Sequence, residues 1–487
     1  MNDAKGKDWL AERARKVMIE NGFEPDFSPA AIEQARQVDE TIEEAMGWVR
    51  DLRDLRWSSI DNASSRDLDQ VEWAEELENG DIRVLVGIAD VDSKIEKDTP
   101  IDRRARQNTV TVYTQSAIFP MLPERLSTDI TSLNENEDRI AVVAEMIVKP
   151  NGDVPESKFF RAVVRNQAKL SYEDVGDWFD NGGSMPAELD RDPELRRQIE
   201  LQKEAATRLH LYRQKKGALE FESIESQAVV EDGEIKGITS VVSNSARRLI
   251  ENFMVTANVE MAEFLENHGS LSLRRVVKTP ERWDGIVRIA AEFGETLPVE
   301  PNQPALAEFL EKQRNADPEH FPDLSLSIIK LIGGGDYVIQ RKGEDAGGHF
   351  GLAVEDYAHS TAPNRRFTDI VVQRLVKAII EERAAPYSAE ELDAIADHAN
   401  LQEKAARKVE RKMRKIVAAS VMRRHIGETF DAIVTGASIK GTYARILRPP
   451  IDGRIVRGER GLDVGEKVRV KLIDADPRNG FIDFQRS

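Results

Sequence analysis

Asp61, Asp67 and Asp69 fall within nine positions of one another in Ile60-Asp61-Asn62-Ala63-Ser64-Ser65-Arg66-Asp67-Leu68-Asp69-Gln70. Side chains alternate between faces in an extended chain, so Asp67 and Asp69 point the same way with Leu68 buried behind them. A turn through Asn62-Ala63-Ser64-Ser65 folds Asp61 back beside the other two. Converging carboxylates repel one another unless a cation sits between them, and oxygen donors favour Mg²⁺ or Mn²⁺. Asp90, which closes a later apolar run, is a fourth carboxylate expected within reach. The same residue types also describe a solvated turn. Far downstream, Arg365 and Arg366 follow Pro363-Asn364 at an expected helix start, where guanidinium groups and free backbone N–H groups together hold phosphate. The alternative for this pair is a structural ion pair with Asp369.

These groups need a scaffold that joins distant stretches. The nearly continuous apolar run Arg83 to Asp90 predicts a buried strand, and Ile140 to Val148 another, closed by Pro150-Asn151-Gly152. Val110 to Tyr113 alternates as a strand does, and Phe119-Pro120-Met121-Leu122-Pro123 follows as a rigid loop. A first helix runs from about Asp8 to Glu20 and stops at Asn21-Gly22. A second starts at Pro29 behind the N-cap Ser28 and is expected to continue to Trp48. Ser171 and Asp174 open a short helix that stops at Asn181-Gly182-Gly183, and a charged helix fills about Glu194 to Gln214. Residues 218–242 read as strands around a hairpin at Glu231-Asp232-Gly233. In Ser245 to Asn267, Leu249, Phe253, Ala257 and Met261 recur every four residues, the stripe of a core-facing helix. An apolar helix spans Ile370 to Ile380, and a long one begins at Ser388 with Glu391 as capping box. The glycines from Gly333 to Gly351 lack the lysine and spacing of a P-loop and mark places where backbone approaches a strand or ligand. His349 among them is read as a hydrogen-bonded core histidine.

The 487 residues suffice for two to four domains, and 40% hydrophobic with 32% charged content fits a soluble globular chain. Zero cysteines exclude disulfides, thiolate zinc sites and a thiol nucleophile. No apolar run approaches a membrane span and the N-terminus has no signal core, so a cytoplasmic protein is expected, without a membrane partner. The net charge of -18 argues against a polyanionic partner until its distribution is considered. Lys and Arg outnumber acids nine to two over residues 401–425 and eleven to nine over 426–487. The last 87 residues thus carry about +9 and the preceding 400 about -27. A local basic surface guides a phosphate backbone whatever the global sum. Short strands between glycines from Gly427 to Ser487 predict an OB-fold barrel, whose Tyr443 and Phe481 are placed to stack bases of a single strand.

A carboxylate cluster for a divalent ion, arginines for a phosphate and a barrel for single strands add up to a nuclease. At this point the chain resembles the ribonuclease II (RNB-domain) family of 3′→5′ exoribonucleases. The resemblance rests on Ile60-Asp61, Arg66-Asp67-Leu68-Asp69, Gly87-Ile88-Ala89-Asp90-Val91, Pro120-Met121-Leu122-Pro123, Leu249-Ile250-Glu251, Gly348-His349-Phe350-Gly351, Arg365-Arg366 and Val409-Glu410-Arg411. It implies an α+β chain: an N-terminal helical segment over 1–50, a mixed sheet-and-helix RNB catalytic domain over 51–426 and an OB-fold over 427–487. It implies a Mg²⁺-dependent enzyme, with Mn²⁺ as a substitute, threading single-stranded RNA through a channel too narrow for duplex and releasing nucleoside 5′-monophosphates. The metal positions would be Asp61, Asp67, Asp69 and Gln70. Arg365 or Arg366 would sit on the phosphate, Tyr113 on the terminal bases and Glu410 near the last nucleotides. A monomer is expected. The family has a fourth aspartate where this chain has Gln70, Asn364 replaces an apolar residue, and Gln373 stands where histidine is common. Cold-shock barrels of other members are replaced by the short helical segment. The alternative reading is an RNA-binding protein that lost catalysis with the fourth carboxylate.

Overall fold

The computed structural model describes residues 4–39, 41–42, 48–222, 225–231, 234–241, 243–318, 320–438, 441–447, 449–463 and 465–487. The chain opens with α1 (Ala4–Glu20) and α2 (Pro29–Gln37), the latter capped by Ser28 Oγ, which accepts from Ala31 N. α2 does not continue to Trp48. Val38 leaves helical geometry at ψ 123°, and Asp39 Oδ1 takes the N–H and hydroxyl of Thr41 into a local turn that competes with helix. Residues 43–47 lie outside the described residues.

The central sheet is built from β1 (Val49–Asp51), β2 (Trp57–Asp61), β3 (Gln70–Glu76) and β4 (Ile82–Ala89). After α3 (Pro100–Asn108) and the small hairpin of β5 (Val112–Tyr113) and β6 (Ile118–Phe119), the sheet takes up β7 (Asp138–Val148) and β8 (Ser157–Ser171). Its order is β1-β8-β2-β3-β4-β7, and β7 pairs with β8 as well as β4, so the pairings from β8 through β7 close on themselves. β4 is buried along nearly its whole length, as its unbroken apolar run requires.

Helices α4 (Tyr172–Asn181), α5 (Ala187–Arg191) and α6 (Pro193–Lys215) follow, with Ser171 Oγ accepting from Asp174 N at the start of α4. Strands β9 (Glu225–Glu231) and β10 (Glu234–Val241) form the expected antiparallel pair, although Asp232 and Gly233 lie outside the described residues. In α7 (Ser245–Asn267) the stripe Leu249, Phe253, Ala257 and Met261 is buried in the main core. Strand β11 (Ser272–Val276) and the helices α8 (Trp283–Glu292), α9 (Gln303–Ala316) and α10 (Phe321–Ile332) precede β12 (Asp336–Gln340), which runs antiparallel to β11. The three helices share their own core around Trp283, Phe309 and Phe321. At Gly348 a Cβ would lie 2.5 Å from Val354 O, so that glycine serves close backbone approach. His349 Nδ1 accepts from Leu352 N, in keeping with a core histidine.

Helix α11 (Phe367–Ile380) is almost wholly buried, and α12 (Ala389–Met422) opens with the Ser388–Glu391 capping box and carries the basic run. Apolar residues of α1 (Leu10, Ala14, Val17, Met18) pack with Val409, Met413 and Ile416 of α12 and with Val112 and Phe119 of the β5–β6 hairpin. The N-terminal helix therefore buttresses that hairpin. Strands β13 (Thr429–Ser438), β14 (Gly441–Ile446), β15 (Ile451–Arg457), β16 (Lys467–Asp476) and β17 (Phe481–Arg486) close into a barrel of order β13-β14-β15-β17-β16. Among the described residues no helix is long and apolar enough to cross a membrane.

Candidate active site

The loop between β2 and β3 brings the three aspartates to one wall. Ser65 N donates to Asn62 O and closes the turn, while Asp61 Oδ1 accepts from Asn62 N (2.6 Å) and Ser65 Oγ (2.9 Å). Leu68 is buried, its N–H bonded to Ser132 Oγ and its carbonyl to Leu133 N. This anchoring leaves the residues on either side of Leu68 facing the opposite way. Asp67 Oδ2 accepts the Tyr113 hydroxyl at 2.8 Å. Asp69, 3% exposed, accepts from Asn364 N at 2.9 Å and pairs with Arg365 Nε at 3.2 Å. Burial raises the Asp69 carboxyl to about 7, against the opposing pull of Arg365 and the Asn364 N–H. Burial also raises Asp61, offset in part by the Asn62 and Ser65 hydrogen bonds.

Asp61, Asp67, Asp69, Gln70, Tyr113 and Arg365 all line one cavity of about 530 Å³. Among its hard-oxygen donors are the three aspartates, the Gln70 amide and a fourth carboxylate, Glu251, and such oxygens suit Mg²⁺ or Mn²⁺. Among the described residues, no three His, Cys, Asp or Glu side chains stand close enough together to chelate an ion. The aspartates share a wall without closing on one another, because each is held by a donor of its own.

The two arginines part company. The side chain of Arg365 is 46% exposed and lines the cavity. Arg366 turns inward to Asp369, at 2.8 Å, whose Oδ1 also accepts Ala362 N. Asp369 is wholly buried, so Arg366 makes the structural ion pair and is not among the cavity-lining residues. Asp90 is also elsewhere, contrary to expectation. It is buried between Arg161 Nε (2.8 Å) and Lys377 Nζ (2.7 Å), in a network with Asp92 and Arg374. Those two cations come from positions 71 and 287 residues away, which no local pattern reveals.

Tyr113 stands on β5, and its backbone N donates to Glu410 of α12 at 3.3 Å, which places Glu410 behind the cavity's aromatic wall. Burial raises the Glu410 carboxyl above its usual range, against that N–H bond and the nearby Arg414 and Arg407. Tyr443 and Phe481 belong to the barrel, 38% and 64% exposed. Tyr443 pairs with Arg454, which pairs with Asp483 two residues from Phe481, so one outer face carries both aromatics beside a guanidinium.

Sequence reasoning missed Arg247 of α7. Its guanidinium lies 4.4 Å from the Tyr172 ring centre and donates to Asn62 Oδ1 at 2.8 Å, bracing the turn that holds Asp61. Arg247, Tyr172, Glu251 and Thr361 all line the cavity. The only local sign of Arg247 was its place beside a helix cap, with Asn244 Oδ1 accepting Arg247 N.

Comparison with known proteins matches the RNB domain to residues 49–382 and the RNase II-type exonuclease C-terminal S1 domain to residues 428–487. Ribonuclease R of Vibrio cholerae is 31% identical over 92% of this chain and 56% of its own length. Ribonuclease R of Escherichia coli (strain K12) is 31% identical over 88% and 54%. Ribonuclease R 1 of Lactococcus lactis is 28% identical over 96% and 60%. The chain thus spans little more than half the length of these relatives. In fold it is similar to Mycoplasma genitalium RNase R in complex with ribose methylated single-stranded RNA: TM-score 0.89, 22% identity, 98% of this chain and 78% of that one. It is also similar to yeast Ssd1, described as a pseudonuclease: TM-score 0.70, 16% identity, 91% of this chain and 55% of that one.

Proposed function

The chain belongs to the RNB-domain family, and from that membership and its cavity we propose that it is a divalent-metal-dependent 3′→5′ exoribonuclease hydrolysing single-stranded RNA to nucleoside 5′-monophosphates. One observation carries the reading: Asp61, Asp67, Asp69, Gln70, Tyr113 and Arg365 share a single cavity. Asp61, Asp67, Asp69 and Gln70 would hold Mg²⁺, with Mn²⁺ as substitute, once the aspartates exchange their Ser65, Tyr113 and Arg365 partners for the ion. When bound there, the ion lends Lewis acidity and positive charge to the scissile phosphate.

The chain's own groups account for the rest. Arg365 is half exposed beside Asp69, free to move onto a phosphate and neutralise the charge that develops on it. Tyr113 offers a ring for the terminal base, backed by α1 and α12, and Glu410 steadies the backbone that carries it. The barrel face bearing Tyr443, Arg454 and Phe481 binds the strand upstream by stacking and charge. A monomer acting in the cytoplasm is the working assembly and place.

The test is 5′-labelled single-stranded RNA with Mg²⁺ or Mn²⁺. A ladder shortening from the 3′ end is expected, and no shortening at stoichiometric enzyme with either metal refutes the reading. Gln70 favours a second reading, an RNA-binding protein without catalysis. It predicts an inert wild type that gains activity as Gln70→Asp, and an active wild type excludes it.

A further inference from the structure

Among the described residues two cations line the cavity, Arg365 and Arg247, and the fold leaves part of Arg247 unspent. Arg247, Ile250, Glu251 and Met254 sit at i, i+3, i+4 and i+7 of α7, one helix face, and all four line the cavity. That face therefore bounds the same space as the aspartate wall. The Arg247 guanidinium lies 4.4 Å from the Tyr172 ring centre. Its two hydrogen bonds, to Asn62 Oδ1 (2.8 Å) and Glu173 Oε1 (3.1 Å), both leave from Nη2. Nε and Nη1 have no acceptor among the described residues. Glu173 is exposed, so its pairing with Arg247 is weak and leaves the positive charge largely in place.

Bracing the Asn62 turn takes a single N–H donor, which an amide or a lysine would supply. A guanidinium adds a plane that an aromatic ring can hold, and further donors in fixed directions. Here the Tyr172 ring and the two Nη2 bonds set that plane, so the remaining N–H groups are oriented before any ligand arrives. A strand entering the cavity brings its phosphates past four lining carboxylates, which makes each cation count. Arg365, beside Asp69, serves the scissile phosphate. The linkage next to it, on the 5′ side, needs a cation of its own. We propose that Arg247 holds that neighbouring backbone phosphate with the N–H groups the turn leaves free, while Nη2 stays on Asn62. The two arginines then fix the register in which the strand lies over the aspartates. The inference rests on the reading of the cavity as the site of a nuclease.

The test is binding of 5′-fluorescein single-stranded RNA to the full chain in EDTA, read by anisotropy, for wild type and Arg247→Gln. A neutral methylphosphonate replaces the first, second or third linkage from the 3′ end in turn. On unmodified RNA Arg247→Gln should weaken binding about 10- to 100-fold, the range for a hydrogen bond to a charged group. A methylphosphonate at the second linkage should cost wild type a similar factor and the variant less than about threefold. At the first and third linkages the two proteins should lose affinity alike. The slope of log affinity against log salt should become about 0.7 shallower in the variant, a change that loss of a structural brace alone would not produce. Equal losses in wild type and variant at every linkage, or coupling at the first linkage instead of the second, overturn the proposal. Should the glutamine variant not fold, Arg247→Met takes its place, a straight-chain helix former that still covers the Tyr172 ring. A wild type that binds no single-stranded RNA overturns the nuclease reading as well. Binding with additive losses overturns this inference alone.

Discussion

Replacing Asp69 by asparagine should remove hydrolysis and, above neutral pH, stabilise the fold. Asp69 is 3% exposed, and burial holds its carboxyl at about 7. In the unfolded chain the same group titrates near pH 4, so the folded state binds the proton more tightly. Wild-type stability from this group is therefore complete below about pH 4 and is lost progressively as pH rises through about 7. At about 1.4 kcal/mol per pKa unit the whole penalty is about 4 kcal/mol, of which about 2 kcal/mol accrues between pH 5.5 and 8. Asparagine keeps an oxygen for the Asn364 N–H and carries no charge at any pH. Arg365, already half exposed, turns to solvent at little cost. Measured by urea unfolding in EDTA, with Trp57 of β2 and Trp73 of β3 as fluorescent reporters, the variant should gain about 2 kcal/mol on wild type between pH 5.5 and 8. Its hydrolysis of RNA should fall at least about 100-fold with RNA binding largely intact. A stability difference that does not change with pH, or that shrinks as pH rises, would refute this account of Asp69.

The arginines should separate in kind. Arg365→Ala should lower kcat about 10²- to 10³-fold with little change in thermal midpoint. Arg366→Ala should destabilise the protein by about 3–5 kcal/mol by stranding buried Asp369, visible as a lowered melting temperature. Tyr113→Phe removes only the hydroxyl on Asp67 and should change the rate less than about fivefold, whereas Tyr113→Ala, losing a stacking surface, should raise KM by the equivalent of about 1–3 kcal/mol. Phe481→Ala on the exposed barrel face should weaken single-stranded RNA binding in a filter assay by about the same amount without altering Mn²⁺ affinity.

What the sequence disclosed was what neighbouring residues decide among themselves. The alternation around Leu68, the turn through Asn62 to Ser65, the capping box at Ser388 and Glu391 and the five barrel strands were all legible, since each depends on a few adjacent side chains. The groups that escaped reading depend on partners brought by the fold. Asp90 reads in sequence as a carboxylate ending an apolar stretch and within reach of the other aspartates, until β8 and α11 deliver Arg161 and Lys377 to it. Arg365 and Arg366 are adjacent and identical in type, and only the buried Asp369 one helical turn on decides which faces the cavity. Arg247 was invisible because an arginine near a helix start is ordinary until the loop carrying Asp61 folds against it. The expected helix to Trp48 failed for a local reason, the Asp39–Thr41 turn, that helix periodicity overrode in the reading.

The central claim is that Asp61, Asp67 and Asp69 face one cavity in order to hold a divalent ion. Crystals soaked in Mn²⁺ and measured at the manganese absorption edge test it directly. The account predicts an anomalous peak within coordination distance of all three carboxylates, with the Asp69–Arg365 contact opened. A peak bound elsewhere, or none while the aspartates keep their Tyr113, Arg365 and Ser65 partners at saturating Mn²⁺, would contradict it.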